Sequence, residues 1–520
     1  MIQDALLRQA SLGGERPCLL EGGRTFSYSE VAALAGRFAG WLAGRGLPPG
    51  GRVALLLGNS HRYVAALLGT LAAGGIAVPL HPLEPGSVGN AGNADGAVGP
   101  PSRLAAALAG SGAALLVTEE RHLALAAAIP GRPPIVCLDP AGPLPVLPTL
   151  PTPVEPLHLG ELAAAPPPRG RGEAATPALL LYTSGSTGVP KGVVLTHGNV
   201  VASTEGVLSY LRLDPGDRGL AVLPFPYVYG QSVLLTHLAA GASLALPSRA
   251  SYPQVVLREL SQLGVTGLSG VPSTFLLLLG KGDFTGLTFP RLRYLTVAGG
   301  ALPEPAVADL ARCFPAARIF LMYGATEAAG RISYLPPERL ADKPGSIGIP
   351  IPGVEMRVVR AGRPAPPGEE GEIEVRGATL SPGTWPLAAP NLENPENTGW
   401  YAPGDLGYRD EDGFFYLTGR TSDLLKIGGY RVSAAEIERA LYATGLVVEC
   451  AVVGRPDALL GERAEAFAVP RGPAVEAAAV LARLAGRLPA HQLPARLHLV
   501  PDLPRTASGK IAKRALPELP

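Results

Sequence analysis

From residue 265 onward the chain alternates short apolar runs with helix-length stretches, at 265–271, 273–279, 292–298, 303–314 and 318–323. Strand-length runs separated by helix-length ones build layers in which parallel strands are joined by crossover helices. The same order stands at 52–80, as strand 53–57, helix 63–73 and strand 76–80, and again across 219–247. In sheets of this kind ligands sit beyond the carboxyl ends of the strands. Two polar clusters fall there: Gly299-Gly300, and Tyr323-Gly324-Ala325-Thr326-Glu327.

A third cluster follows the apolar run 178–182. Thr183-Ser184-Gly185-Ser186-Thr187-Gly188-Val189-Pro190-Lys191-Gly192 supplies three glycines, four hydroxyls and one lysine. Glycines let the backbone approach an anion, and amides, hydroxyls and an ammonium can surround it, which suits a polyphosphate. The P-loop pattern of Gly, four residues, then Gly-Lys-Ser/Thr opening a helix is not met. Pro190 precedes Lys191 and the strand-like 193–196 follows, so the loop is expected to join two strands. Taken alone, a Gly/Ser-rich surface turn is the better reading.

Composition limits the alternatives. The chain has 520 residues, 47% of them apolar, enough for two or more domains with a sizeable core. A net charge of +1 with 17% charged residues argues against a nucleic-acid partner. Cys18, Cys137, Cys313 and Cys450 show neither metal spacing nor a disulfide framework, which fits a reducing cytoplasm. The N-terminus carries no secretion signal pattern, and Pro224, Pro226, Gly230, Gly241 and Pro247 break the charge-free interval 219–248 into pieces too short to span a membrane. Only six lysines stand against 38 arginines, and three of the six (Lys191, Lys426, Lys510) fall in polar, glycine-bearing clusters.

Elsewhere, 84–101 reads as a mobile Gly/Asn-rich loop and 140–168 as an extended proline-rich connection. After Val354 the pattern turns short and β-like, as a small barrel or sandwich would be. A boundary is expected at 420–423. Beyond it, Ser433-Ala434-Ala435-Glu436 has capping-box spacing for a helix to about Ala443, with strands at 446–453 and 464–469 and a helix at 475–488. The expected fold is therefore α/β. A large N-terminal domain (residues 1–422) of layered α/β subdomains plus a small β-barrel precedes a small mobile α+β C-terminal domain (423–520).

Two further clusters complete the set: Gly399-Trp400-Tyr401-Ala402-Pro403-Gly404-Asp405-Leu406-Gly407 followed by Gly419-Arg420, and Pro504-Arg505-Thr506-Ala507-Ser508-Gly509-Lys510. Each is suggestive alone. In this order they resemble the signature of the adenylate-forming enzymes: acyl-CoA synthetases, peptide-synthetase adenylation domains and luciferases. The resemblance spans about 20–516 and is closest in character to acyl-CoA synthetases and stand-alone acyl-AMP ligases. It implies that Thr183 to Lys191, with Ser184, Gly185, Ser186, Thr187 and Gly188, hold the β- and γ-phosphates of ATP. Gly299, Gly300 and Tyr323 would contact adenine, Thr326 the α-phosphate and Glu327 Mg²⁺. Asp405 would accept from the ribose hydroxyls, helped by Arg420, and Lys510 would bridge the substrate carboxylate and the α-phosphate.

The activity so implied is ATP-dependent activation of a small-molecule carboxylic acid as an acyl-adenylate, then transfer to a thiol. Coenzyme A is the expected acceptor, with a separate carrier protein's phosphopantetheine arm as the alternative, because only ten residues follow Lys510. Lys426 with Gly428-Gly429 resembles the segment lining the thiol route, a plain β-turn being the rival reading. Arg431, Arg439, Arg455 and Arg463 are candidates for the coenzyme phosphates. Pro403 replaces a common Thr, and Gly51-Arg52 a common Gly-Asp. The segment 225–230, Phe-Pro-Tyr-Val-Tyr-Gly, departs from the usual acyl-pocket entrance. It holds no carboxylate to pair an α-ammonium, so an aliphatic (fatty) or aryl acid is expected.

Overall fold

The computed structural model describes the chain except residues 82–102, 145–153, 164–172, 184–189, 249, 251, 387–398, 458, 507–508 and 518–520. Three sheets organise it, of fourteen, eight and five strands. The alternation expected at 265–323 is present as strand Gly267–Gly270, helix Pro272–Lys281, strand Tyr294–Val297, helix Glu304–Cys313 and strand Arg318–Tyr323. These strands pair in parallel. The 52–80 unit is strand Arg52–Leu56, helix His61–Ala72 and strand Ile76–Leu80. Strands Arg52–Leu56 and Leu115–Thr118 are apolar without alternation because layers cover both sheet faces, and residues 53–56 are wholly buried.

Helix Val228–Ala240 is apolar on nearly every side, as a helix between layers must be, and Gly241 closes it in the left-handed conformation. Helices Ile2–Gly13 and Tyr28–Gly44 add to the expected elements, and Ser27 with Glu30 forms a complete capping box at the second. Strand Glu155–Leu157, inside the proline-rich connection, adds an edge to the eight-stranded sheet. The stretch 84–101 lies outside the described residues.

The small barrel expected after Val354 is not formed. Strand Ser346–Pro350 pairs with Ser333–Leu335 on one side and Phe415–Arg420 on the other, so the β-rich segment prolongs the large sheet as an open antiparallel wing. The wing ends on Val354–Arg360 and the two-residue strand Arg363–Pro364, an edge blunted by charge and proline. Arg357 with Glu374, and Arg376 with Glu355, bridge it, and both arginines lie over the Trp400 ring.

The last sheet, with helices Ala434–Ala443 and Ala477–Ala485, encloses its own apolar core around Ile437, Leu441, Val452, Ala466 and Val480. Ser433 caps its first helix, while Glu436 pairs with Gln492 rather than closing the box. The architecture is mixed α/β, a large N-terminal domain followed by a smaller one. Among the described residues no helix is long and apolar enough to cross a membrane.

Candidate active site

Strands Tyr294–Val297 and Arg318–Tyr323 run in parallel with Val297 beside Leu321, so the chain leaves both at one sheet edge. That edge carries Gly299-Gly300 and the 323–327 cluster. A Cβ at Gly324 would stand 2.2 Å from the Gly330 carbonyl oxygen, so glycine alone lets the loop double back. The turn Thr326–Ala328 follows and holds Thr326 and Glu327 half-buried.

Opposite this edge, strand Asp405–Arg409 pairs with Phe415–Arg420, and the register sets Asp405 across from Arg420. Arg420 Nε donates to Asp405 Oδ1 at 2.7 Å, and the Tyr323 hydroxyl donates to the other carboxylate oxygen. Asp405 is only 2% exposed. Burial raises the Tyr323 hydroxyl pKa, and the Asp405 charge raises it further. A carboxylate offers about four lone-pair sites, so Asp405 retains capacity for a vicinal diol. Tyr401 also belongs here: burial, Glu327 and Asp405 all push its pKa up. Its position inside the 399–407 cluster is the sequence signal that could single it out.

Lys510 arrives from the small domain. Arg505 bridges Ile511, and Thr506 N–H donates to the Lys510 carbonyl at 2.7 Å, closing a tight loop. Ser273, on helix Pro272–Lys281 of the large domain, donates through Oγ to the Gly509 carbonyl at 2.6 Å. Gly299 has φ +91, and a Cβ there would lie 3.2 Å from Lys510 Cε and 3.9 Å from Nζ. Lys510 keeps solvent along its length, yet crowding around its ammonium lowers its pKa. Arg420 adds repulsion and Asp405 pulls the other way. Gly299, Tyr323, Asp405, Arg420 and Lys510 therefore share one locality.

Lys426 does not share it. It is exposed on strand Leu424–Ile427, joined to Tyr430–Ser433 by Gly428-Gly429 with φ +56 and +86, a two-residue hairpin. Thr183 ends strand Pro177–Thr183 and faces Lys191 at the start of antiparallel strand Lys191–Thr196. The phosphate-loop candidate thus joins two strands, as expected, but Ser184, Gly185, Ser186, Thr187 and Gly188 lie outside the described residues. His197 is buried and accepts the Ile2 N–H at Nδ1, a packing role. Of the candidate arginines for the coenzyme phosphates, Arg439 holds the Leu417 and Thr418 carbonyls. Arg455 holds Leu516 and Pro517, and Arg463 pairs with Glu465. The Arg431 side chain lies outside those described.

Among the described residues no group of three or more metal-ligating side chains gathers. Mg²⁺ is commonly held by one or two carboxylates plus substrate phosphates, and Glu327 can supply one. Near the start of helix Val228–Ala240 a cavity is lined by Pro79, Leu80, His81, Tyr182, Pro226 and Tyr227, with no carboxylate among its described lining residues. His81 is pushed down to about 4, by burial and then by His122, so it is neutral at pH 7.

Parallel strand ends facing an aspartate, an arginine and an inserted lysine suit nucleotide-dependent ligation. The sequence matches the AMP-binding enzyme family over residues 6–385 and the AMP-binding enzyme C-terminal domain over 436–510. It is 33% identical to a feruloyl-CoA synthase of Amycolatopsis sp over 517 residues, covering 98% of this chain and 96% of that one. It is 33% identical to a sulfoacetate–CoA ligase of Cupriavidus necator over 512 residues, covering 96% and 94%. The solved o-succinylbenzoate coenzyme A synthetase of Bacillus subtilis, in complex with its acyl-adenylate intermediate, superposes with a TM-score of 0.79 at 28% identity. The match covers 99% of this chain and 98% of that one. The same enzyme with ATP and magnesium gives 0.77 at 28% identity over 98% of both chains. The chain belongs to the AMP-binding enzyme family. It is an AMP-forming acid–thiol ligase that uses ATP, Mg²⁺ and coenzyme A.

Proposed function

We propose that the chain activates a carboxylic acid lacking an α-amine, with the residue roles that its resemblance to the adenylate-forming enzymes implies. Asp405 and Arg420 receive the ribose, Tyr323 and Gly299-Gly300 the adenine, and Thr326 the α-phosphate. Glu327 takes Mg²⁺, and Thr183 to Lys191 the outer phosphates. Lys510 stands between the two anions that must meet, the acid's carboxylate and the α-phosphate. Such chemistry needs positioning and charge neutralisation more than a protein nucleophile. The observation that carries this reading is the Lys510 ammonium beside Gly299, delivered from the small domain onto the large domain's strand ends.

A carboxylate oxygen attacks the α-phosphorus and pyrophosphate leaves. The coenzyme thiol then adds to the acyl carbon and AMP leaves. Residues 423–520 act as a unit that swings about Asp423, because Lys510 occupies the site while Lys426 is exposed away from it. The acid is aliphatic or aryl: the described lining of the cavity at the helix Val228–Ala240 entrance holds no carboxylate to pair an ammonium. The enzyme works in the cytoplasm, and a separate carrier protein is the competing acceptor.

The test is pyrophosphate exchange into ATP across a panel of acids, followed by free coenzyme A or a pantetheinylated carrier offered in parallel. Exchange with fatty or aryl acids and thioester on coenzyme A are expected. Exchange confined to α-amino acids overturns the acid class, and loading of the carrier alone overturns the acceptor.

A further inference from the structure

Arg331 is the largest of the fully buried side chains, 2% exposed, and its Nε and Nη1 have no hydrogen-bond partner. Among the described residues no carboxylate pairs with it. It stands four residues beyond Glu327, where the 324–330 loop rejoins the sheet. Its guanidinium carbon lies 4.9 Å from the centre of the Tyr229 ring. Tyr229 sits in the first turn of helix Val228–Ala240 and donates through its hydroxyl to the Thr296 carbonyl at 2.9 Å. Thr296 is three residues before Gly299 on the same strand, where Lys510 arrives.

Thr296 is the last residue but one of strand Tyr294–Val297, so the Tyr229 hydroxyl is anchored just inside the strand end that leads to Gly299. An arginine cannot shed its charge, and a desolvated guanidinium with unmade N–H bonds is costly unless something completes it. A guanidinium over a ring face keeps its N–H edge available to an acceptor.

We infer that Arg331 is a specificity-determining residue whose missing partner is carried by the substrate. The acid bears a second acceptor, a carboxylate or phenolic oxygen, remote from the carboxyl group that is activated. Arg331 receives it, with the Tyr229 ring lying against the guanidinium. This rests on the acid-activation reading above and narrows it from acids in general to acids with a polar far end.

The test compares matched acids in pyrophosphate exchange: cinnamate against 4-hydroxycinnamate and 4-carboxycinnamate, and octanoate against octanedioate. The wild type is expected to prefer at least one acceptor-bearing acid over its plain partner by about tenfold or more in kcat/KM. Arg331→Met should collapse that preference, chiefly through KM, while kcat for the plain acid stays within about threefold. Arg331→Lys keeps charge without the planar fork and should lose several-fold of the preference, which serves if the methionine variant does not fold. Preference for plain acids, or a preference unchanged in both variants, overturns the inference and makes Arg331 a purely structural member of an aromatic box. Exchange with no acid at all overturns the activation reading and this inference with it.

Discussion

Removing the Lys510 ammonium should separate the two half-reactions. Its Nζ stands 3.9 Å from the Cβ position of Gly299, on the strand end where the acid and the α-phosphate must meet. At an effective dielectric near 20, a unit charge about 4 Å from an anion is worth about 4 kcal/mol. Solvent along the side chain screens part of this, leaving about 2–3 kcal/mol, or about 10²-fold in rate. Lys510→Ala should therefore slow acid-dependent pyrophosphate exchange by about 10²-fold, while thioester formation from supplied acyl-adenylate stays within about threefold. The pH profile gives a second reading. Catalysis needs the charged form and the lysine pKa is lowered, so kcat/KM for adenylation should fall on the basic side below the ordinary lysine value of 10.5. Lys510→Arg should remove that limb. An equal loss in both half-reactions, or a basic limb that survives in Lys510→Arg, refutes the assignment.

The remaining predictions concern motion, nucleotide binding and stability. Asp423→Pro fixes φ at the junction and should cut overall turnover more than adenylation; unchanged thioester turnover counts against a hinge there. Asp405→Ala strips Arg420 and the buried Tyr323 hydroxyl of their acceptor, so the unfolding free energy should drop by about 1–3 kcal/mol and KM for ATP should rise at least about tenfold; an unaltered calorimetric transition together with an unaltered KM for ATP would contradict it. His237 is buried between the Val233 carbonyl and the Tyr294 hydroxyl and is held at about 4, chiefly by burial. The unfolded chain binds its proton more readily, so up to about 3 kcal/mol of stability, full above pH 6.5, is lost as pH falls toward 4. The pH dependence of denaturant midpoints should flatten in His237→Gln.

The parallel half of the large sheet is legible in sequence because fully buried strands leave unbroken apolar runs and crossover helices leave long ones. The antiparallel wing is not. Short strands such as Ser346–Pro350 look the same whether they close a barrel or extend a sheet, and pairing between 333–335 and 415–420 is a long-range choice. The cluster around Asp405 is readable by motif, since register alone sets Arg420 opposite it. Tyr401 hides within a motif whose other members already have roles, and Arg331 gives no signal because an unpaired buried arginine looks in sequence like any surface one. The arginines expected to meet the coenzyme are legible only as charge: carbonyls and Glu465 already engage Arg439, Arg455 and Arg463.

Adenylation requires that an oxygen of the acid attack the α-phosphorus of ATP. A single turnover with acid carrying ¹⁸O in both carboxylate oxygens, coenzyme A and MgATP, read by mass spectrometry of the nucleotide, tests this directly. AMP bearing one ¹⁸O for each thioester formed, with unlabelled pyrophosphate, is the expected result. Label in orthophosphate with ADP as the nucleotide product, or thioester formed with unlabelled AMP, would contradict it.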